Sequence, residues 1–88
     1  MRIEKTFVLR EIAGDYVIVP TGKSALEFNG LITVNELGAF IWKQLQEETT
    51  VDRIVEAIQE EYEVDRETAK ADTEEFLEVL VKQQILER

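Results

Sequence analysis

The sequence predicts an α+β fold, winged-helix-like with the sheet placed first: an N-terminal antiparallel sheet of three strands, then three α-helices. Three observations predict it. β-Branched and aromatic residues broken by turn formers crowd the first third of the chain. Apolar residues at helical spacing govern the rest. Cap residues, namely Asn35, the Thr49-Thr50 pair and Asp65, each precede one of those helical stretches.

Thr6 to Ile12 has the composition of a first strand, Ala13-Gly14-Asp15 that of a tight turn, and Tyr16 to Pro20 that of a second strand, so the three form an antiparallel hairpin. Pro20 lacks an amide donor and marks the end of the pairing. Thr21-Gly22-Lys23-Ser24 is the next turn. Beyond it, Ala25 to Phe28 and Leu31 to Val34 flank Asn29-Gly30, a hairpin signal because both residues tolerate positive φ. Those two runs either pair with each other, which gives a fourth strand, or one of them extends a third strand beside the second. Leu31 to Val34 is expected as the main third strand.

After Asn35, the residues Leu37, Phe40, Ile41, Gln44 and Leu45 recur at intervals of three and four, which predicts an amphipathic helix to about Glu47. Gly38 inside it costs about 1 kcal/mol relative to Ala, so a close backbone contact is expected there. A second helix carries the stripe Val51, Ile54, Val55, Ile58 and Tyr62. A third, from Arg66 to about Gln84, carries Ala69, Phe76, Leu77, Leu80 and Val81 on its inner side. Trp42 and Tyr62 are expected in the core. No repeat, linker or low-complexity segment interrupts the pattern.

With 88 residues, 44% hydrophobic and 33% charged, the chain has the balance of one globular domain spanning 1–88. A domain this small buries about 60 to 65% of its unfolded surface, so function is expected on an exposed groove or edge rather than in a deep cavity. There is no His and no Cys. That removes the usual zinc ligand sets, cysteine nucleophiles, disulfides and the customary base of serine triads, so no catalytic residue, metal or cofactor is expected.

Nineteen acidic against ten basic residues give a net charge of −9, which disfavours nucleic acid and anionic lipid surfaces. Solubility alone and attraction of a basic partner explain that charge equally well. The charged start at Arg2, Glu4, Lys5 and Arg10 is unlike a signal peptide, and no apolar run approaches a membrane span, so a cytoplasmic monomer is expected. The runs Glu47-Glu48, Glu60-Glu61 and Glu74-Glu75 lack the alternation and central glycine of a calcium loop and read as solvated helix faces. A paired-carboxylate hydrolase would need a cleft that a chain this short does not predict.

Two segments carry a resemblance. One is Leu9-Arg10-Glu11-Ile12-Ala13-Gly14-Asp15-Tyr16-Val17-Ile18-Val19-Pro20. The other is Phe28-Asn29-Gly30-Leu31-Ile32-Thr33-Val34-Asn35-Glu36-Leu37-Gly38-Ala39-Phe40-Ile41-Trp42. With Glu61-Tyr62-Glu63-Val64-Asp65 and Ala69-Lys70-Ala71-Asp72-Thr73-Glu74-Glu75-Phe76-Leu77, they make the chain resemble the PqqD family from about Phe7 to Leu86. Val34 stands where the family more often has Leu, and Leu37 where Thr is frequent; both changes are compatible with packing.

The resemblance implies a non-enzymatic protein that binds the leader segment of a ribosomally made precursor peptide and presents it to a modifying enzyme, often a radical SAM enzyme. It further implies that the leader adds as an antiparallel strand beside the third strand, in a cleft whose other wall is the third helix. An open sheet edge supplies affinity through its backbone, and apolar pockets supply specificity. The candidate peptide-binding residues are therefore Leu31, Ile32, Thr33, Val34 and Asn35, with Asp72, Glu75, Phe76 and Val79 of the third helix. Each has a purely structural alternative. Alternate residues of the strand must be buried in any case, Phe76 and Leu80 suit core packing, and Asp72 and Glu75 suit a solvated face.

Two other functions compete. A winged-helix DNA-binding or transcription-regulating module shares the element count, but its recognition helix should be rich in Lys and Arg. The third helix offers Arg66, Lys70 and Lys82 against Glu67, Asp72, Glu74, Glu75 and Glu78. A structural subunit of a larger complex would differ from a peptide-capture protein in lacking a short linear ligand.

Overall fold

The structure is a computed structural model that describes residues 1–3, 6–22 and 32–88. The sheet contains β1 (Phe7–Ile12), β2 (Asp15–Pro20) and β3 (Ile32–Val34), ordered β1-β2-β3 with both pairings antiparallel. Three helices follow: α1 (Glu36–Gln44), α2 (Val51–Glu61) and α3 (Arg66–Lys82). The α+β order read from the sequence is the order observed. Leu31, the run Ala25 to Phe28 and the Asn29-Gly30 turn lie outside the described residues.

The first hairpin is tighter than its sequence suggests. Ile12 pairs with Asp15, so the loop is Ala13-Gly14 alone and Asp15 belongs to β2. Both loop residues have positive φ, 52° and 87°, the backbone of a two-residue turn whose twist matches the flanking strands. At the open end of the hairpin, the amide and hydroxyl of Thr21 both donate to the Thr6 carbonyl, at 2.7 and 2.8 Å.

Each helix begins at its predicted cap. Asn35 Oδ1 accepts from the Gly38 amide at 2.7 Å, Thr50 Oγ1 from the Arg53 amide at 3.2 Å, and Asp65 Oδ2 from the Thr68 amide at 3.2 Å. These bonds satisfy amides that a helix start otherwise leaves without an acceptor. The ends differ from expectation. α1 stops at Gln44 instead of Glu47, because the Leu45 amide is shared between the Ile41 and Trp42 carbonyls, both at 3.1 Å, and the last turn tightens.

α3 stops at Lys82 instead of Gln84. Gln84 takes the left-handed conformation, φ 62°, with its amide on the Val81 carbonyl at 3.0 Å and the Ile85 amide on the Leu80 carbonyl at 2.9 Å. Ile85 and Leu80 are both buried, which completes a Schellman motif built with Gln where Gly is usual.

One core joins all the layers. Ile18 of β2, Ile41 of α1, Ile54, Val55 and Ile58 of α2, and Leu77 and Leu80 of α3 are almost wholly buried, with Trp42 and Leu45 beside them. Tyr62 caps the end of α2 and is half-buried, its ring edge-on to Phe40 at 5.6 Å. The inner stripe of α3 is Ala69, Thr73, Leu77 and Leu80; Val81 is 38% exposed and does not belong to it. Thr73 occupies the core position because its hydroxyl donates to the Ala69 carbonyl at 2.8 Å, leaving no buried donor unpaired.

The two ends of the sequence contribute more than its patterns suggest. Ile3 and Leu86 are buried, pair with each other in an antiparallel bridge, and the Ile3 amide donates to the Leu45 carbonyl at 3.1 Å. The Met1 amine donates to Glu48 and to the Thr49 carbonyl. Among the described residues, no helix is long and apolar enough to cross a membrane.

Candidate functional site

β3 hydrogen-bonds β2 on one side; among the described residues no strand pairs with its other side. Alternate residues of such an edge turn their N–H and C=O outward, where another chain can meet them. Ile32 and Val34 are half-buried, and Thr33 between them is exposed, which is the alternation of a strand with one covered face.

Beside this edge runs a groove of about 280 Å³. Ile32, Thr33, Val34 and Asn35 form one wall, and Asp72, Glu75, Phe76 and Val79 of α3 form the other. Every described residue expected at the site therefore lines the same groove. Leu31 is not among the described residues. The sequence reading missed the floor, contributed by Leu37, Gly38 and Ile41 of α1. Gly38 was the available signal, since a glycine inside a helix implies a close approach.

That approach is to Phe76. A β-carbon on Gly38 would lie 3.1 Å from Phe76 Cε1, 3.2 Å from Asn35 Oδ1 and 3.2 Å from Val34 Cβ. The glycine thus lets the half-buried Phe76 ring settle against α1 and keeps the groove open above it. Spacing on α3 explains its wall: positions 72, 75, 76 and 79 fall on one face of a helix. The core stripe of Thr73, Leu77 and Leu80 lies on the adjoining face.

Charge is unevenly balanced on α3. Glu74 pairs with Arg88 at 3.0 Å and Glu78 with Lys82 at 3.4 Å. Asp72 and Glu75, on the groove wall, form no ion pair with any described residue. Above the sheet, Tyr16 lies opposite both Glu11 and Val34, and its hydroxyl pKa is raised, chiefly by the Glu11 charge. The Tyr62 pKa is raised by burial first and then by Glu36 and Glu61.

The arrangement suits an extended segment: backbone donors and acceptors along one wall, apolar side chains below, and carboxylates on the far wall. No group of three or more His, Cys, Asp or Glu that could hold a metal occurs among the described residues. α3, the helix that would have to enter a DNA groove, bears five acidic and three basic residues, so it is poorly suited to a phosphate backbone.

Comparison with known proteins bears on the fold and the family. No curated protein matches the chain. Among solved structures, "TbiB1 in Complex with the TbiA(beta) Leader Peptide" is similar at 30% identity and a TM-score of 0.76, over 99% of this chain and 95% of that one. "Lasso peptide synthetase B1 complexed with the leader peptide" shares the fold at 17% identity and a TM-score of 0.72, over 96% and 93%. The family described as Coenzyme PQQ synthesis protein D matches residues 15–86. A match over most of the sequence, on a fold of three strands and three helices shared with a 30%-identical neighbour, means that the chain belongs to the PqqD family.

Proposed function

We propose that this protein binds the leader segment of a ribosomally made precursor peptide and presents it to a modifying enzyme, such as a radical SAM enzyme. The leader adds to the sheet along β3 as an antiparallel strand and lies in the groove against α3. The observation that carries this reading is the juxtaposition of an open strand edge with an apolar-floored groove, in a chain 30% identical to a protein solved with a leader peptide. The peptide-contacting residues in this reading are Leu31 to Asn35 together with Asp72, Glu75, Phe76 and Val79. The protein acts by binding and needs no catalysis of its own. A ribosomally made peptide is met where it is synthesised, which places this role in the cytoplasm.

The test is selection of short peptides from a displayed random library on the immobilised protein, followed by NMR titration of the isotope-labelled protein with a selected sequence. Amide shifts are expected on Ile32 to Asn35 and on Asp72 to Val79. Shifts concentrated on the β1–β2 hairpin or on α2 would refute docking along β3.

A further inference from the structure

We infer that the groove recognises its peptide through two side chains two positions apart, one cationic and one aliphatic. The inference rests on strand addition along β3. Residues directly opposite each other on neighbouring antiparallel strands share a face of the sheet. Ile32 and Val34 lean into the covered face while Thr33 is exposed, so the added strand turns the residues opposite Ile32 and Val34 into the groove. The residue between them points away. The two inward side chains therefore start about 7 Å apart, two strand steps.

The wall they meet is short. From Asp72 to Val79, α3 advances about 10 Å, enough for two inward side chains and little more. Its two halves differ chemically. The N-terminal half offers Asp72 and Glu75; the C-terminal half offers Phe76 and Val79, with Ile41 at the base of the groove.

Charge supplies the rest of the argument. Of the acids on α3 that lie off the groove, Glu74 and Glu78 have Arg88 and Lys82 as partners and Glu67 lies in the first turn, where the helix dipole favours a negative charge; Asp72 and Glu75 have neither a partner among the described residues nor a place in that turn. Asp72 is also half-buried, and covering it with a peptide would strip more water from its carboxylate. A Lys or Arg on the incoming strand offsets that loss, and an acidic residue there compounds it. The net charge of −9 further favours encounter with a basic segment. At the other inward position, Val79 is 40% exposed and offers apolar surface that an aliphatic side chain covers.

The experiment uses the displayed random library and the intact protein. Sequences that bind are expected to be enriched for Lys or Arg two positions from Ile, Leu or Val, in either order. Replacing the basic residue of one selected peptide with Gln should weaken binding by about three- to tenfold at low salt, and by less at high salt. Protein carrying both Asp72→Asn and Glu75→Gln should bind the Lys and Gln peptides equally; neither carboxylate makes a hydrogen bond that the change would break within the described residues. Groove-binding peptides without a basic residue, with adjacent or three-apart spacing, or with an unchanged Lys preference in the double variant would overturn the inference while leaving strand addition intact. Failure of every peptide to shift β3 and α3 would remove both.

Discussion

Replacing Gly38 with Ala sets two effects of known size against each other. Ala in a helix interior is favoured over Gly by about 1 kcal/mol, so propensity alone predicts a more stable protein. The added methyl, however, meets Phe76 Cε1 at 3.1 Å and both Asn35 Oδ1 and Val34 Cβ at 3.2 Å. Phe76 is half-buried and can slide toward the groove, but Val34 Cβ is fixed to the backbone of β3, and Asn35 Oδ1 is held by the capping bond. With two of three neighbours unable to yield freely, overpacking should cost about 2 kcal/mol, within the usual 1 to 3. The expected net loss is about 1 kcal/mol, a fall in Tm of roughly 4 to 8 °C for a domain of this size. Thermal unfolding followed by far-ultraviolet circular dichroism measures it. A Gly38→Ala protein more stable by about 1 kcal/mol would show that propensity acts alone and that no close approach to Phe76 exists.

Gln84→Gly should stabilise the protein by roughly 0.5 to 1 kcal/mol in urea titrations, because glycine removes the left-handed strain at φ 62°, although it loses more freedom on folding. Lower stability would mean that the Gln84 side chain contributes more than its backbone costs. The Asp65 carboxyl is held below its ordinary pKa, first by the Thr68 hydroxyl and then by the Thr68 amide. A lowered folded-state pKa gives stability that is full above the unfolded value of about 3.9 and is lost as pH falls through the folded one. Asp65→Asn keeps an oxygen for the cap but does not titrate there. The stability advantage of wild type over this variant should therefore shrink below about pH 4 in thermal melts; a constant difference would contradict the cap's charge dependence.

Local chemistry accounts for what the sequence made legible. Caps at Asn35, Thr50 and Asp65 are side chains bonding amides three residues away, so each helix start is written within a few residues. The groove walls could be anticipated because the family resemblance pointed to a strand and a helix whose lining positions recur at fixed spacing. What escaped depended on partners far along the chain or on unusual residues in familiar roles. Val81 has the spacing of a core residue, but the core accepted Thr73, whose hydroxyl is satisfied inside its own helix, and rotated the stripe away from Val81. The end of α3 carried no glycine to announce its left-handed residue. Nor did any local pattern show that Ile3, Ile85 and Leu86 would be buried together with Trp42 and Leu45.

The bridge between Ile3 and Leu86 has a kinetic meaning. It closes a loop spanning nearly the whole chain, and closing so long a loop is entropically unfavourable until the elements between its ends have ordered. The hairpin and α1 can form first, and the Ile3 amide can meet the Leu45 carbonyl, before the bridge closes. The bridge is thus absent from early folding species and acts as a latch on the finished molecule, slowing its opening without hastening its formation.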